Sequence, residues 1–111
     1  LNHSNALYTW GTIQTLTATF SGAPVMISGS FSVRAYNNQA LMQYRLRRGS
    51  TVLFTSQTKA VRPTPDNFVI PFHFLDSNTS VGSRTYTLQA YVGDEYGYYS
   101  DRTIQTLECK K

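Results

Sequence analysis

Few side chains in this sequence have the chemistry of acids, bases, nucleophiles or metal ligands. There are two histidines, His3 and His73, and one cysteine, Cys109. The carboxylates are Asp66, Asp76, Asp94, Glu95, Asp101 and Glu108. A catalytic histidine needs a nucleophile and an orienting carboxylate within hydrogen-bond reach. His73 stands in the apolar run 68–75 without such partners at local spacing, so it reads as a structural or surface histidine. Zinc needs three or four ligands with short spacings between pairs, and that pattern is absent. Asp94 and Glu95 lack the spacing of acids and glycine that forms a calcium loop. No glycine-rich phosphate loop occurs. Cys109 has no neighbour that would lower its pKa, and reads as a small packing residue near the end of the last strand. The expectation is a protein that is not an enzyme and uses no cofactor or metal.

The functional hint is aromatic. Tyr96, Tyr98 and Tyr99 fall in a loop segment, 93–101, beside Asp94 and Glu95. Exposed tyrosines offer flat apolar area and a hydroxyl, which suits sugars and protein partners. Asp94, Glu95, Tyr96, Tyr98 and Tyr99 are therefore the expected binding residues. Trp10 is a second candidate platform, although a lone tryptophan near a strand start is more often core or interface.

Bulk properties narrow the class. A chain of 111 residues makes one domain with a modest core. The net charge of +4 is scattered, with its densest group at Arg45, Arg47 and Arg48 and a second at Lys110 and Lys111. A nucleic-acid binder concentrates its charge in a stripe, so no nucleic-acid partner is expected. One cysteine allows no intrachain disulfide. No apolar run is long enough to span a bilayer as a helix, so membrane insertion is not expected. The chain starts at Leu1 without a signal pattern, which suggests one domain of a longer protein. Residues 1–7 read as a polar lead-in from an upstream region, and residues 8–111 as the domain.

The elements that must carry these residues are strands. Apolar and polar residues alternate with period two in 8–20, 25–36, 68–75, 84–92 and 102–110. In 25–36, Val25, Ile27, Gly29, Phe31, Val33 and Ala35 share one face, while Met26, Ser28, Ser30, Ser32, Arg34 and Tyr36 share the other. Residues 40–47 and 51–55, joined through Arg48, Gly49 and Ser50, read as an antiparallel hairpin. Pro71 within 68–75 predicts an edge strand or a bulge. Residues 56–67, with Pro63 and Pro65, read as a loop or an edge, and 76–83 as a long turn. No segment has helical spacing. The reading is all-β: an antiparallel sandwich or closed barrel.

Four stretches carry a resemblance. They are Arg47-Arg48-Gly49-Ser50-Thr51-Val52-Leu53, Phe68-Val69-Ile70-Pro71-Phe72-His73-Phe74-Leu75-Asp76, Gly82-Ser83-Arg84-Thr85-Tyr86-Thr87-Leu88-Gln89-Ala90, and the segment from Arg102 to Lys111. Together they resemble the C-terminal head domains of tailed-bacteriophage tail fibres and related virion appendages, over residues 40–111. The resemblance implies an antiparallel jelly-roll-like β-sandwich, a homotrimer, and attachment to a host-surface receptor, often a carbohydrate. It implies a virion location. Receptor contacts vary in that family, so no binding residue is carried over. Surplus apolar residues on outer faces give trimer formation a physical motive. Two alternatives stand beside it: a structural or assembly domain of a virion appendage, and a carbohydrate-binding module of a larger protein.

Overall fold

The computed structural model describes residues 3–4, 10–35, 40–61, 68–78, 80–93 and 97–109. They form nine strands: β1 (His3–Ser4), β2 (Trp10–Ser21), β3 (Val25–Ala35), β4 (Ala40–Arg48), β5 (Thr51–Thr55), β6 (Lys59–Val61), β7 (Phe68–Asp76), β8 (Val81–Gly93) and β9 (Gly97–Glu108). Among the described residues there is no helix. These segments are rich in Thr, Val, Ile, Tyr and Phe, which suit a pleated, half-buried surface.

Two antiparallel sheets result, in the orders β1-β9-β3-β7 and β2-β8-β4-β5, with β6 added beside β4. If the short β6 is set aside, successive strands cross from one sheet to the other, except at the β4–β5 hairpin. That winding is the jelly roll. Gly49 makes the hairpin turn at φ +55°, a region that glycine enters without steric cost, and its N–H donates to the Thr85 carbonyl at 2.9 Å.

The core lies between the sheets. Val25, Ile27, Phe31 and Val33 of β3 face Leu46 of β4 and Tyr86, Leu88 and Ala90 of β8; all are buried. Burial of side chains of this size stabilises by about 1.5–3 kcal/mol each. Ile70 and Phe72 are buried while Val69, Pro71, His73 and Leu75 are exposed, so the alternation read from sequence is the one that folds. β7 stands at the edge of its sheet, where the missing N–H of Pro71 costs no ladder bond.

Several boundaries differ from the sequence reading. The proline-containing stretch 56–67 carries β6, whose Ala60 sits opposite Leu41. The expected turn 76–83 is shorter, because β7 runs through Asp76 and β8 starts at Val81. The polar lead-in supplies β1, which pairs His3 with Tyr99 and Ser4 with Tyr98. β2 does not keep one parity: a bulge between Thr12 and Gln14 inserts Ile13, which is buried. An extra residue in one strand reverses which side later residues face. Cys109 is exposed rather than packed.

Candidate ligand-binding face

The inner faces of the sheets are apolar, so chemistry must be sought on the outer ones. On the β2-β8-β4-β5 sheet the register builds a grid. Trp10 lies opposite Tyr91, and Tyr91 opposite Gln43. The next row holds Thr12, Gln89, Arg45 and Thr55, and the row beyond it Thr15, Thr87, Arg47 and Val52. Leu88 and Ala90, between the β8 members of these rows, point into the core, so the rows themselves face out.

Contacts within the grid are specific. The Trp10 and Tyr91 rings are 5.4 Å apart and tilted by 51°. The Arg45 guanidinium lies 4.1 Å from the centre of the Trp10 ring, a cation–π contact. Arg45 Nε donates to Gln89 Oε1 at 2.9 Å, and Gln43 Nε2 donates to the Ser56 carbonyl at 3.3 Å. Partial burial, and after it the charge of Arg47, lower the Arg45 pKa from its ordinary value. An arginine stays protonated at neutral pH regardless. The result is two aromatic rings, fixed amides and held cations on one sheet face. Ligand sites commonly join such apolar area to a few placed polar groups.

A second polar cluster closes one end of the sandwich. Tyr86 Oη donates to Asp76 Oδ2 at 2.7 Å, and Arg48 Nη1 to Asp76 Oδ1 at 2.6 Å. The Asn78 backbone N–H adds a third bond at 3.1 Å. Arg84 Nη1 donates to Tyr86 Oη and to the Asn78 carbonyl, and Arg84 Nη2 to the Ser80 carbonyl. A hollow of about 320 Å³ opens beside Arg48, Asp76 and Asn78. Burial pushes the Asp76 pKa up, but its hydrogen bonds from Tyr86, Arg48 and Asn78 outweigh that, and the net is downward. This carboxylate is consumed by structural partners. The cluster joins the sheets and anchors the loop after β7.

The residues expected from sequence fall differently. Asp94, Glu95 and Tyr96 lie outside the described residues. Tyr98 and Tyr99 belong to β9 and not to a loop: Tyr98 lies opposite Arg34, and Tyr99 opposite Val33. The cause is strand length, since β9 begins at Gly97. His73 is exposed, in register with Ser28, with no partner for general base work at that row. Among the described residues, no group of three His, Cys, Asp or Glu is placed to hold a metal ion. Trp10 is on the outer face. Of its companions, Tyr91, Gln89 and Gln43 were not singled out by sequence, and Arg45 only as part of the densest basic group. The signal was there in the polar parity of β8 and β4.

The fold defines an antiparallel jelly-roll β-sandwich. No protein-family model matches the sequence, and no curated protein matches it in sequence. Solved structures do match in fold. A protein of the infectious bursal disease virus Gx strain superposes with TM-score 0.62 at 10% identity, over 97% of this chain and 30% of that one. VP2 of the infectious bursal disease virus subviral particle gives TM-score 0.55 at 13% identity, over 95% of this chain and 29% of that one. The carbohydrate-binding module CBM4 gives TM-score 0.55 at 14% identity, over 96% of this chain and 61% of that one. This chain thus spans less than two thirds of each of these proteins. At such identities the likeness shows a shared fold.

Proposed function

We propose that this chain is a non-enzymatic attachment domain of a virion that binds a host-surface saccharide on the outer face of the β2-β8-β4-β5 sheet. The observation that carries the reading is the Trp10–Tyr91 pair, held on that face beside Gln89, Gln43 and Arg45. A sugar ring has an apolar C–H face that stacks on aromatic rings and hydroxyls that bond amides and guanidinium groups. The fold likeness to two viral proteins and to a carbohydrate-binding module supports it. So does the sequence resemblance to phage tail-fibre heads, which adds a homotrimeric fibre tip as the finer form.

The test is adsorption of labelled protein to host cells and to immobilised saccharides. The double variant W10A/Y91A loses binding while its far-ultraviolet dichroism stays that of the parent. Unchanged binding by the double variant removes the face from consideration.

A second reading is an assembly domain of the same virion. Leu75 and Leu107 flank Met26 in register on the outer face of the other sheet, and both leucines are exposed, at 50% and 69%. An apolar row of this kind suits contact with another copy of the chain.

A further inference from the structure

The charge of the grid narrows its ligand. β2, β4, β5, β6 and β8 contain no aspartate or glutamate. The outer face nevertheless carries two cations, Arg45 and Arg47, one row apart on β4 and opposite Gln89 and Thr87. Here Arg45 is fixed by a neutral amide and by the Trp10 ring, and among the described residues no carboxylate pairs with it. Arg47 likewise forms no ion pair with a carboxylate among the described residues. Both features point to an anion from outside the chain.

We infer that the ligand of this face is an acidic saccharide, one whose carboxylate or sulfate pairs with Arg45 and Arg47 while a sugar ring stacks on Trp10 or Tyr91. The inference rests on the saccharide-binding reading of the same face. A guanidinium already oriented binds an oxyanion with little further ordering, and such charge-assisted hydrogen bonds are among the stronger polar contacts. The rings distinguish this ligand from a simple anion, which would need the arginines alone. The row spacing suits it too: residues two apart on a strand are about 6.6 Å apart, so the cations are within reach of one another's ligand.

The experiment measures binding of the full chain by calorimetry to three acidic saccharides, each beside a neutral counterpart. The pairs are oligogalacturonate and its methyl ester, sialyllactose and lactose, and dextran sulfate fragments and dextran. At least one acidic member binds at least tenfold more tightly than its neutral partner, and the arm that responds separates carboxylate from sulfate. R45Q and R47Q each remove that preference, and W10A weakens the acidic ligand as well. Equal binding within every pair overturns the acidic-ligand inference while leaving saccharide binding intact. Silence of all six overturns both. Acidic binding that W10A leaves unchanged overturns the inference, because charge alone would then account for it. A single-stranded oligonucleotide of matched charge that binds as tightly also overturns it, in favour of nucleic acid.

Discussion

Tyr86 on β8 donates its hydroxyl hydrogen to Asp76 on β7, at 2.7 Å, across the two sheets. The Tyr86 ring is fully buried and packs edge-on against Phe20 at 5.9 Å. The bond therefore ties the apolar core to the polar end of the sandwich. In Tyr86→Phe the ring packing survives, and a buried carboxylate loses one of its donors. The cost is about 1–3 kcal/mol. Urea unfolding of Y86F measures it; a shift below a few tenths of a kcal/mol contradicts the role given to the bond.

The same cluster sets a pH dependence. The folded-state pKa of Asp76 is depressed, with burial opposing the shift and the Tyr86, Arg48 and Asn78 hydrogen bonds prevailing. A depressed carboxylate pKa means that the unfolded chain binds the proton more tightly. The stability contribution is therefore whole above the ordinary aspartate value of about 4, fades as pH falls through it, and is gone below the folded-state value. Tyr86 behaves in the opposite sense. Burial, and then the bond to Asp76, raise its pKa, so its contribution is whole below about pH 10 and is lost as pH rises past the folded value. Thermal unfolding against pH shows both limbs in the parent, and D76N flattens the acid limb.

Gly29 is predicted to reject any side chain. It sits on β3 between Phe72 and Ile104 in register, and a Cβ there would collide with the Thr103 backbone carbonyl and lie 2.9 Å from the Phe72 ring. Backbone cannot move aside as a flexible side chain can. Gly29→Ala costs about 1–3 kcal/mol through overpacking. Guanidinium unfolding of G29A checks it, and an unchanged midpoint contradicts it.

The outer grid and the core should respond differently to truncation. Ile13 is buried at the β2 bulge, so Ile13→Ala leaves a cavity and costs about 2–5 kcal/mol. Among the described residues Trp10 packs on the outer face, against Tyr91 and Arg45, and Trp10→Ala costs about 1 kcal/mol. Differential scanning calorimetry compares the two. If W10A unfolds the protein as readily as I13A, Trp10 is a core residue and not a ligand platform.

The sandwich was legible in the sequence because period-two alternation leaves little freedom. Val25, Ile27, Phe31 and Val33 could face only one core, and they do. Pro71 announced the edge. The site was less legible for a reason of geometry. Trp10, Gln89 and Arg45 are separated by tens of residues in the chain and become neighbours only through register. The bulge at Ile13 was hidden as well, because a single apolar residue on the polar parity looks like noise until its strand partner is known. Lys59–Val61 stands among prolines, where local composition left a loop or an edge open, and pairing with β4 makes it an edge strand. Tyrosine-rich composition at 96–99 suggested a loop; a strand that starts at Gly97 contains Tyr98 and Tyr99 instead.

The row Leu75–Met26–Leu107 makes a prediction about assembly. Three apolar side chains adjoin on the outer face of the β1-β9-β3-β7 sheet, opposite in the sandwich from the arginine grid. Exposed apolar rows are disfavoured on a protein that stays monomeric, and a closed oligomer would cover this one while leaving the grid free for ligand. Light scattering on the parent chain should give the mass of a trimer at micromolar concentration. The variant L75T/L107T keeps strand propensity, since threonine suits a pleated surface, and removes apolar area from the row. It should run as a monomer with saccharide binding per chain retained. If the parent itself runs as a monomer, the row is not a self-association surface; if the variant stays trimeric, the contact lies elsewhere.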